Sequence, residues 1–179
     1  MSEPSQLFVQ IRISKGAFDQ FLLHKVVPPS QFGDWEDWLS TAEYYGDKIT
    51  NETVDKFSRW GFAVGSWLRD WTEGKYTDSV INQYDEQTRT WTLAVTDFSE
   101  NYREFIINLN VIRQIALFKD ISSKDYVLII PFFFGSGTET PEAVMEIAEN
   151  SSVFISSVPE DIALIANSWF SRQADEQLD

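Results

Sequence analysis

The longest apolar run of the chain, which begins at Tyr126 and ends at Phe134, constrains the fold more than any other stretch. Gly135 and Gly137 follow it directly. An apolar run of this length next to turn residues is typical of a strand that is buried on both faces. We therefore expect an interior strand of a β-sheet here, and a helix or a solvated edge strand at this position would exclude the fold predicted below.

Residue patterns before this run predict alternating strands and helices. The predicted elements are a half-buried strand at 6–13, a short helix capped by Ser14, a helix from the N-cap Asp34 to Gly46, a long helix at about 51–71, a hairpin of 77–84 and 90–96, and a helix capped by Ser99 to about 118. Residues 105–111 also alternate, so a third strand is the alternative there. Gly61 and Gly65 would let another element approach the long helix closely.

After the run, Thr140 and Pro141 match the N-cap and first position of a helix that reaches about Asn150. A short strand at 153–156 and a helix from Pro159 complete the chain. This order predicts an α+β fold with a ferredoxin-like (split βαβ) core, two inserted helices and a C-terminal α-β-α extension. We expect one globular domain over residues 1–179, with short flexible ends at about 1–5 and 173–179.

The formal net charge of −14 is concentrated in two segments. Between Asp34 and Asp55 there are seven acidic residues against one lysine, and between Glu139 and Asp179 there are nine against one arginine. The remaining acidic and basic residues balance. This distribution disfavours nucleic acid and anionic membrane surfaces as partners, because both bind cationic protein.

The sequence carries no recognisable signal for secretion or for membrane insertion. No stretch approaches the roughly 20 apolar residues of a membrane span, and the first residues do not resemble a secretory signal. These features predict a cytoplasmic protein.

Catalytic groups are scarce, so we expect no cofactor and no metal, and we favour a protein that is not an enzyme. The chain has no cysteine, and His24, its only histidine, is predicted to be a solvated surface residue. The loop that begins at Gly135 and ends at Thr138 could hold an anion, although nearby glutamates would repel a phosphate. The alternative function is therefore a carboxylate-dependent hydrolase or transferase with a site near this loop.

Two acidic ridges are the more specific signal. Four glutamates recur at spacings of three, four and three, which would place them on one face of the predicted helix from Pro141. In the earlier segment, acidic residues interleave with Trp35 and Trp38, which we expect to lie in the core. The predicted partner-binding residues are Asp34, Glu36, Asp37, Glu43, Glu139, Glu142, Glu146 and Glu149.

A small acidic chain without a catalytic motif resembles, in kind, the immunity proteins that neutralise bacterial toxin domains. That resemblance implies an inhibitor that occludes a basic protein, such as a toxin nuclease domain. The acidic ridges would steer the partner, and aromatic side chains would hold it. A DNA-mimic inhibitor is a further alternative, which requires carboxylates spaced like phosphates along one face.

Overall fold

A six-stranded antiparallel sheet with helices on both faces makes up the computed structural model, which describes residues 4–41, 48–131 and 140–176. The strands are β1 (Ser5–Arg12), β2 (Val80–Asp85), β3 (Thr90–Ser99), β4 (Asp125–Ile130), β5 (Ala143–Ala148) and β6 (Ser151–Phe154). The helices are α1 (Lys15–Leu23), α2 (Trp35–Ser40), α3 (Val64–Thr72), α4 (Tyr102–Arg113) and α5 (Glu160–Glu176). The strands lie in the order β2-β3-β1-β4-β5-β6, so the predicted α+β class is confirmed.

The apolar run forms an interior strand, as predicted, over the residues that the structure describes. β4 pairs with β1 on one side and with β5 on the other. Val127, Leu128 and Ile129 are all fully buried, because each face of the sheet is covered. Residues 132–134 of the run lie outside the described residues.

Two apolar cores lie on opposite faces of the sheet, and β1 contributes to both. Leu7, Val9 and Ile11 belong to the larger core, together with residues of α1, α3 and α4. Phe8 faces the smaller core, where its ring packs edge-on against Phe170 of α5 at a centroid distance of 6.2 Å. The prediction that one face of β1 is buried is therefore confirmed, with one departure: Phe8 on the other face is buried as well, because α5 covers it, while Gln6, Gln10 and Arg12 stay partly exposed.

The stretch after β3 is a helix, so the alternative of a third strand there is excluded. Its N-cap is Asn101, whose side chain accepts a hydrogen bond from the N–H of Arg103 at 2.9 Å. Ser99, the predicted cap, is the last residue of β3, and its hydroxyl oxygen accepts the N–H of Asn101. The helix was thus predicted correctly, with its cap placed two residues early.

The long helix predicted at 51–71 is broken into two pieces. A 3-10 turn spans Val54–Phe57, and α3 begins only at Val64. Between them, the N–H of Gly61 donates to the carbonyl of Val26 and the N–H of Val26 donates to the carbonyl of Phe62. These backbone groups pair with the segment after α1, so they cannot form the hydrogen bonds of a continuous helix. Gly61 itself has φ +83°, which a helix does not allow.

Gly65 allows the close helix contact that the sequence suggested. A Cβ atom on Gly65 would lie 3.1 Å from the backbone oxygen of Leu22 in α1. We expect Gly65→Val to lower the free energy of unfolding by about 1–3 kcal/mol, because the extra methyl groups overpack this contact. The matched control, Gly16→Ala on α1, meets no atom within 4 Å and should stabilise by about 0.4–1 kcal/mol. Urea unfolding of both variants measures the two changes, and equal effects would contradict the contact.

The C-terminal part is β-β-α, so the predicted α-β-α extension is wrong. The stretch expected to be a helix from Pro141 is β5, which lies between β4 and β6. A turn at Glu149 and Asn150 joins β5 to β6, and Asn150 takes a left-handed backbone (φ +56°) that asparagine tolerates. Three consecutive buried side chains, Ala143 to Met145, are explained by burial on both faces of a strand rather than by a helical stripe.

The hairpin of β2 and β3 is confirmed, with Asp85 paired to Thr90 across the turn. Trp91, Leu93 and Val95 share one buried face, as the predicted strand at 90–96 implies. Toward the C-terminus, α5 extends to Glu176. Gln173, which was expected in a flexible end, is buried, and its side-chain amide donates to the carbonyl of Ala94 at 3.3 Å.

Among the residues that the structure describes, no helix has the length and apolar character needed to span a membrane.

Candidate partner-binding site

Asp34, the first predicted binding residue, precedes α2, but its side chain makes no capping bond to that helix. Its Oδ2 instead accepts the N–H of Phe154 in β6 at 3.0 Å. Its Oδ1 lies 2.9 Å from Nη2 of Arg113, as an ion pair whose atoms are not aligned for a hydrogen bond. Asp34 is therefore the N-cap residue of α2, as predicted, but its carboxylate does not cap the helix and instead ties α2 to β6.

Arg113 is the buried partner of this carboxylate, with 1% of its side chain exposed. Its Nε and Nη2 donate to the hydroxyl and the carbonyl oxygen of Ser152, at 3.1 and 2.8 Å. Burial lowers the pKa of the Arg113 guanidinium, and the charge of Asp34 opposes that shift. Three aromatic rings have centroids within 5.4 Å of the guanidinium carbon: Phe32, Trp35 and Phe154. Together these contacts hold the start of α2 in place.

Two further predicted binding residues of the first segment, Glu36 and Asp37, lie at the surface of α2. Glu36 has 38% of its side chain exposed, and its Oε1 lies 3.5 Å from Nζ of Lys48. An exposed ion pair of this kind contributes little to the stability of the fold. Asp37 is exposed. Glu43 lies outside the described residues. Trp35 and Trp38 are buried, as predicted.

The second predicted ridge does not form one helical face, because Glu142, Glu146 and Glu149 lie on and around β5. Glu142 precedes the strand and accepts the hydroxyl of Tyr102. Glu146 lies within the strand, and its Oε2 is 3.2 Å from Nζ of Lys124. Glu149 is exposed in the turn after the strand, and Glu139 lies outside the described residues. The spacing of three, four and three therefore does not correspond to one face of a helix in this protein.

His24 is a structural residue rather than the solvated one that was predicted. Its Nε2 lies 2.9 Å from Oε1 of Gln114, which accepts the hydrogen bond, so the ring carries its proton on Nε2. The ring also packs against Phe118 at a centroid distance of 5.2 Å. Within the described ranges, no group of three or more acidic or histidine side chains could hold a metal ion. The loop from Gly135 to Thr138 lies outside those ranges.

A groove of about 490 Å³ between the sheet and the start of α5 is the site that sequence reasoning missed. α5 covers only the apolar half of its sheet face, where Phe8 and Leu128 lie. The next row of side chains on that face is polar and follows the strand register: Gln83, Thr92, Gln10, Tyr126 and Glu146. All but Glu146 line the groove, and α5 provides the opposite wall with Ile162, Ile165 and Trp169.

One carboxylate in the groove, Asp125, is neutralised within the fold. Its Oδ2 lies 2.6 Å from Nζ of the fully buried Lys119, and its Oδ1 accepts Nε of Arg12 at 3.0 Å. The same carboxylate accepts the backbone N–H of Arg12 and the hydroxyl of Ser123. Asp125 is therefore a fixed structural group and is not available as a general base.

Two further carboxylates on the groove remain without a cation. Asp85 and Asp161 both line it, and neither lies within 4 Å of a lysine or arginine in the part of the chain that the structure describes. Hydrogen bonds from the N–H groups of Thr88 and Gln87 lower the pKa of Asp85, so this carboxylate is ionised at neutral pH. Arg12 and Lys124 also line the groove, but each is already paired, with Asp125 and with Glu146. The groove thus combines a rim that carries two unpaired carboxylates with amide, hydroxyl and aromatic groups, which suits binding of an extended polar chain.

No protein-family model matches the chain, and neither a curated protein nor a solved structure matches it.

Proposed function

We propose that this protein is an acidic protein-binding module that docks and neutralises a basic protein, as toxin-immunity proteins do. The observation that carries the proposal is the acidic surplus that the fold leaves unneutralised. The chain has 28 acidic residues and a net charge of −14. In the described part, six acidic side chains form ion pairs with lysine or arginine: Asp19, Asp34, Glu36, Asp70, Asp125 and Glu146.

The groove offers a place where this surplus can act on a partner. Asp85 and Asp161 stand at its rim, and the exposed Asp37 and Glu149 add to the long-range field. Such a field raises the rate at which a cationic partner associates, while aromatic and amide groups supply short-range contacts. In this scheme the module acts in the cytoplasm of a bacterium and inhibits by covering its partner's working surface.

The strand order also supports a finer proposal about the fold. We propose that β1 to β4, with α1 and α4, form a ferredoxin-like split βαβ core. Its support is the run β2-β3-β1-β4, all antiparallel, in which α1 follows β1 and α4 connects β3 to β4. Because many functions use that plan, this proposal adds nothing to the functional argument.

The test begins with capture of partners from the native host and continues with one purified partner. We expect a basic protein that binds one to one, with an association rate that falls steeply as salt rises from 50 to 300 mM. The double variant Asp85→Asn with Asp161→Asn should slow association about 5–10-fold at low salt and flatten its salt dependence.

The matched control removes the same number of negative charges, but from carboxylates that already form ion pairs. Asp19 and Asp70 each pair with a lysine, so Asp19→Asn with Asp70→Asn should slow association less than about twofold. Equal slowing by both double variants would exclude the groove as the docking place. A partner that is acidic, or whose binding does not depend on salt, would contradict the proposed function.

A further inference from the structure

The two edge strands of the sheet, β6 and β2, differ in whether their outward backbone groups are hydrogen-bonded. At β6, the bond from the N–H of Ile155 to the carbonyl of Val144 shows which residues face β5, so Phe154 and Ser152 face outward. The outward N–H of Phe154 donates to Asp34, and the outward carbonyl of Ser152 accepts from Arg113. The Asp34–Arg113 ion pair therefore bonds one outward N–H and one outward carbonyl of this short edge strand, and covers the edge against further pairing.

The opposite edge, at β2, has no such cover. The N–H of Thr96 donates to the carbonyl of Ser79, so residues 79, 81, 83 and 85 face β3. Val80, Asn82 and Tyr84 consequently direct their N–H and C=O groups outward. No backbone or side-chain group within 4–41, 48–131 or 140–176 hydrogen-bonds to those outward groups. This edge is a template on which an extended chain can pair.

We propose that the β2 edge receives an extended basic segment of the partner as a seventh strand of the sheet. This inference rests on the proposed function and names where and how the basic partner docks. Main-chain hydrogen bonds to β2 would supply affinity, and side chains on alternate positions would supply specificity.

Charge around the edge favours a basic segment. Asp78, Asp85 and Glu86 flank β2 at its two ends, against Arg89 in the turn to β3; the nearby Lys15 and Lys75 are paired with Asp19 and Asp70. Gln83 and Asp85 connect the edge to the groove beneath α5. A basic strand beside β2 would therefore place alternate side chains toward the acidic rim of that groove. A second copy of this chain would bring the same acidic residues to the edge, so like charges oppose self-pairing.

The experiment uses the full chain and three synthetic heptapeptides. The probe alternates lysine and valine. One control peptide has the same side chains but is N-methylated at every residue, which removes the amide donors on both of its edges. The other control replaces lysine by glutamate. The readout is amide hydrogen exchange by NMR, because it reports each backbone N–H separately.

We expect the probe to slow exchange at Val80, Asn82 and Tyr84 by tenfold or more, while neither control peptide does so. Ile81 and Gln83, already bonded to β3, and Phe154, already bonded to Asp34, should not change. Binding of the probe without protection at the three outward amides overturns the strand addition and leaves the proposed function standing. Failure of the probe to bind also overturns it, whereas the proposed function falls only if the purified basic partner fails too. Equal protection by the glutamate peptide, or self-association of the protein through this edge, overturns the choice of occupant.

Discussion

Replacing Asp34 by alanine is expected to lower the free energy of unfolding by about 3–5 kcal/mol, because it leaves the buried guanidinium of Arg113 without a counter-charge. The outward N–H of Phe154 loses its acceptor in the same variant. Urea unfolding followed by tryptophan fluorescence measures the loss. Asp37→Ala, on the exposed side of the same helix, is the control and should cause a much smaller change.

A second variant separates the unpaired charge from lost packing. Arg113→Met removes the buried charge, so the double variant Asp34→Ala with Arg113→Met should be more stable than Asp34→Ala alone. If Asp34→Ala unfolds at the same urea concentration as Asp37→Ala, the ion pair does not hold α2 to β6.

Replacing Lys119 by methionine is also expected to cost about 3–5 kcal/mol, because its fully buried ammonium group is the centre of a satisfied network. Its Nζ donates to the carbonyls of Arg12 and Ile121 and to the hydroxyl of Ser123, at 2.6–2.9 Å. Methionine fits the space but leaves those acceptors unpaired and removes one of the two cations on Asp125.

Lys75→Met provides the control for this loss. Lys75 pairs with Asp70 at the surface, where 57% of the lysine side chain is exposed, so its removal should leave the melting temperature unchanged. If both lysine variants melt alike, the buried network contributes no more than a surface ion pair.

Local patterns predicted the parts of the fold that local interactions decide. The apolar run predicted β4, the residue pattern at 90–96 predicted β3, and the stretch from Ser99 to about 118 was predicted to be the helix that α4 forms. Each pattern reflects whether one face or both faces of the element are buried, and the packing of the helices on the sheet buries those faces. Asn101 shows the limit of such patterns, because a cap can shift by two residues without changing the apolar face that follows.

The predictions that failed depended on contacts distant in sequence. Thr140 and Pro141 suggested a helix where β5 lies, since a strand buried on both faces carries no alternation and pairing with β4 outweighs local preference. The side chain of Asp34 contacts Phe154, 120 residues further along the chain, which no local pattern encodes. The groove arises from the register of four strands, because its polar row exists only once Gln10 and Thr92 lie side by side.

The covering of Phe8, Ala94, Leu128 and Val144 by α5 has a consequence for the order of synthesis. A ribosome releases all six strands before it releases this helix, so the nascent sheet carries an uncovered apolar stripe until residues 160–176 emerge. Exposed stripes of this kind promote association between incomplete chains. The yield of soluble protein should therefore depend on how soon the helix reaches the sheet after translation, and slowing translation just before residue 160 should lower it.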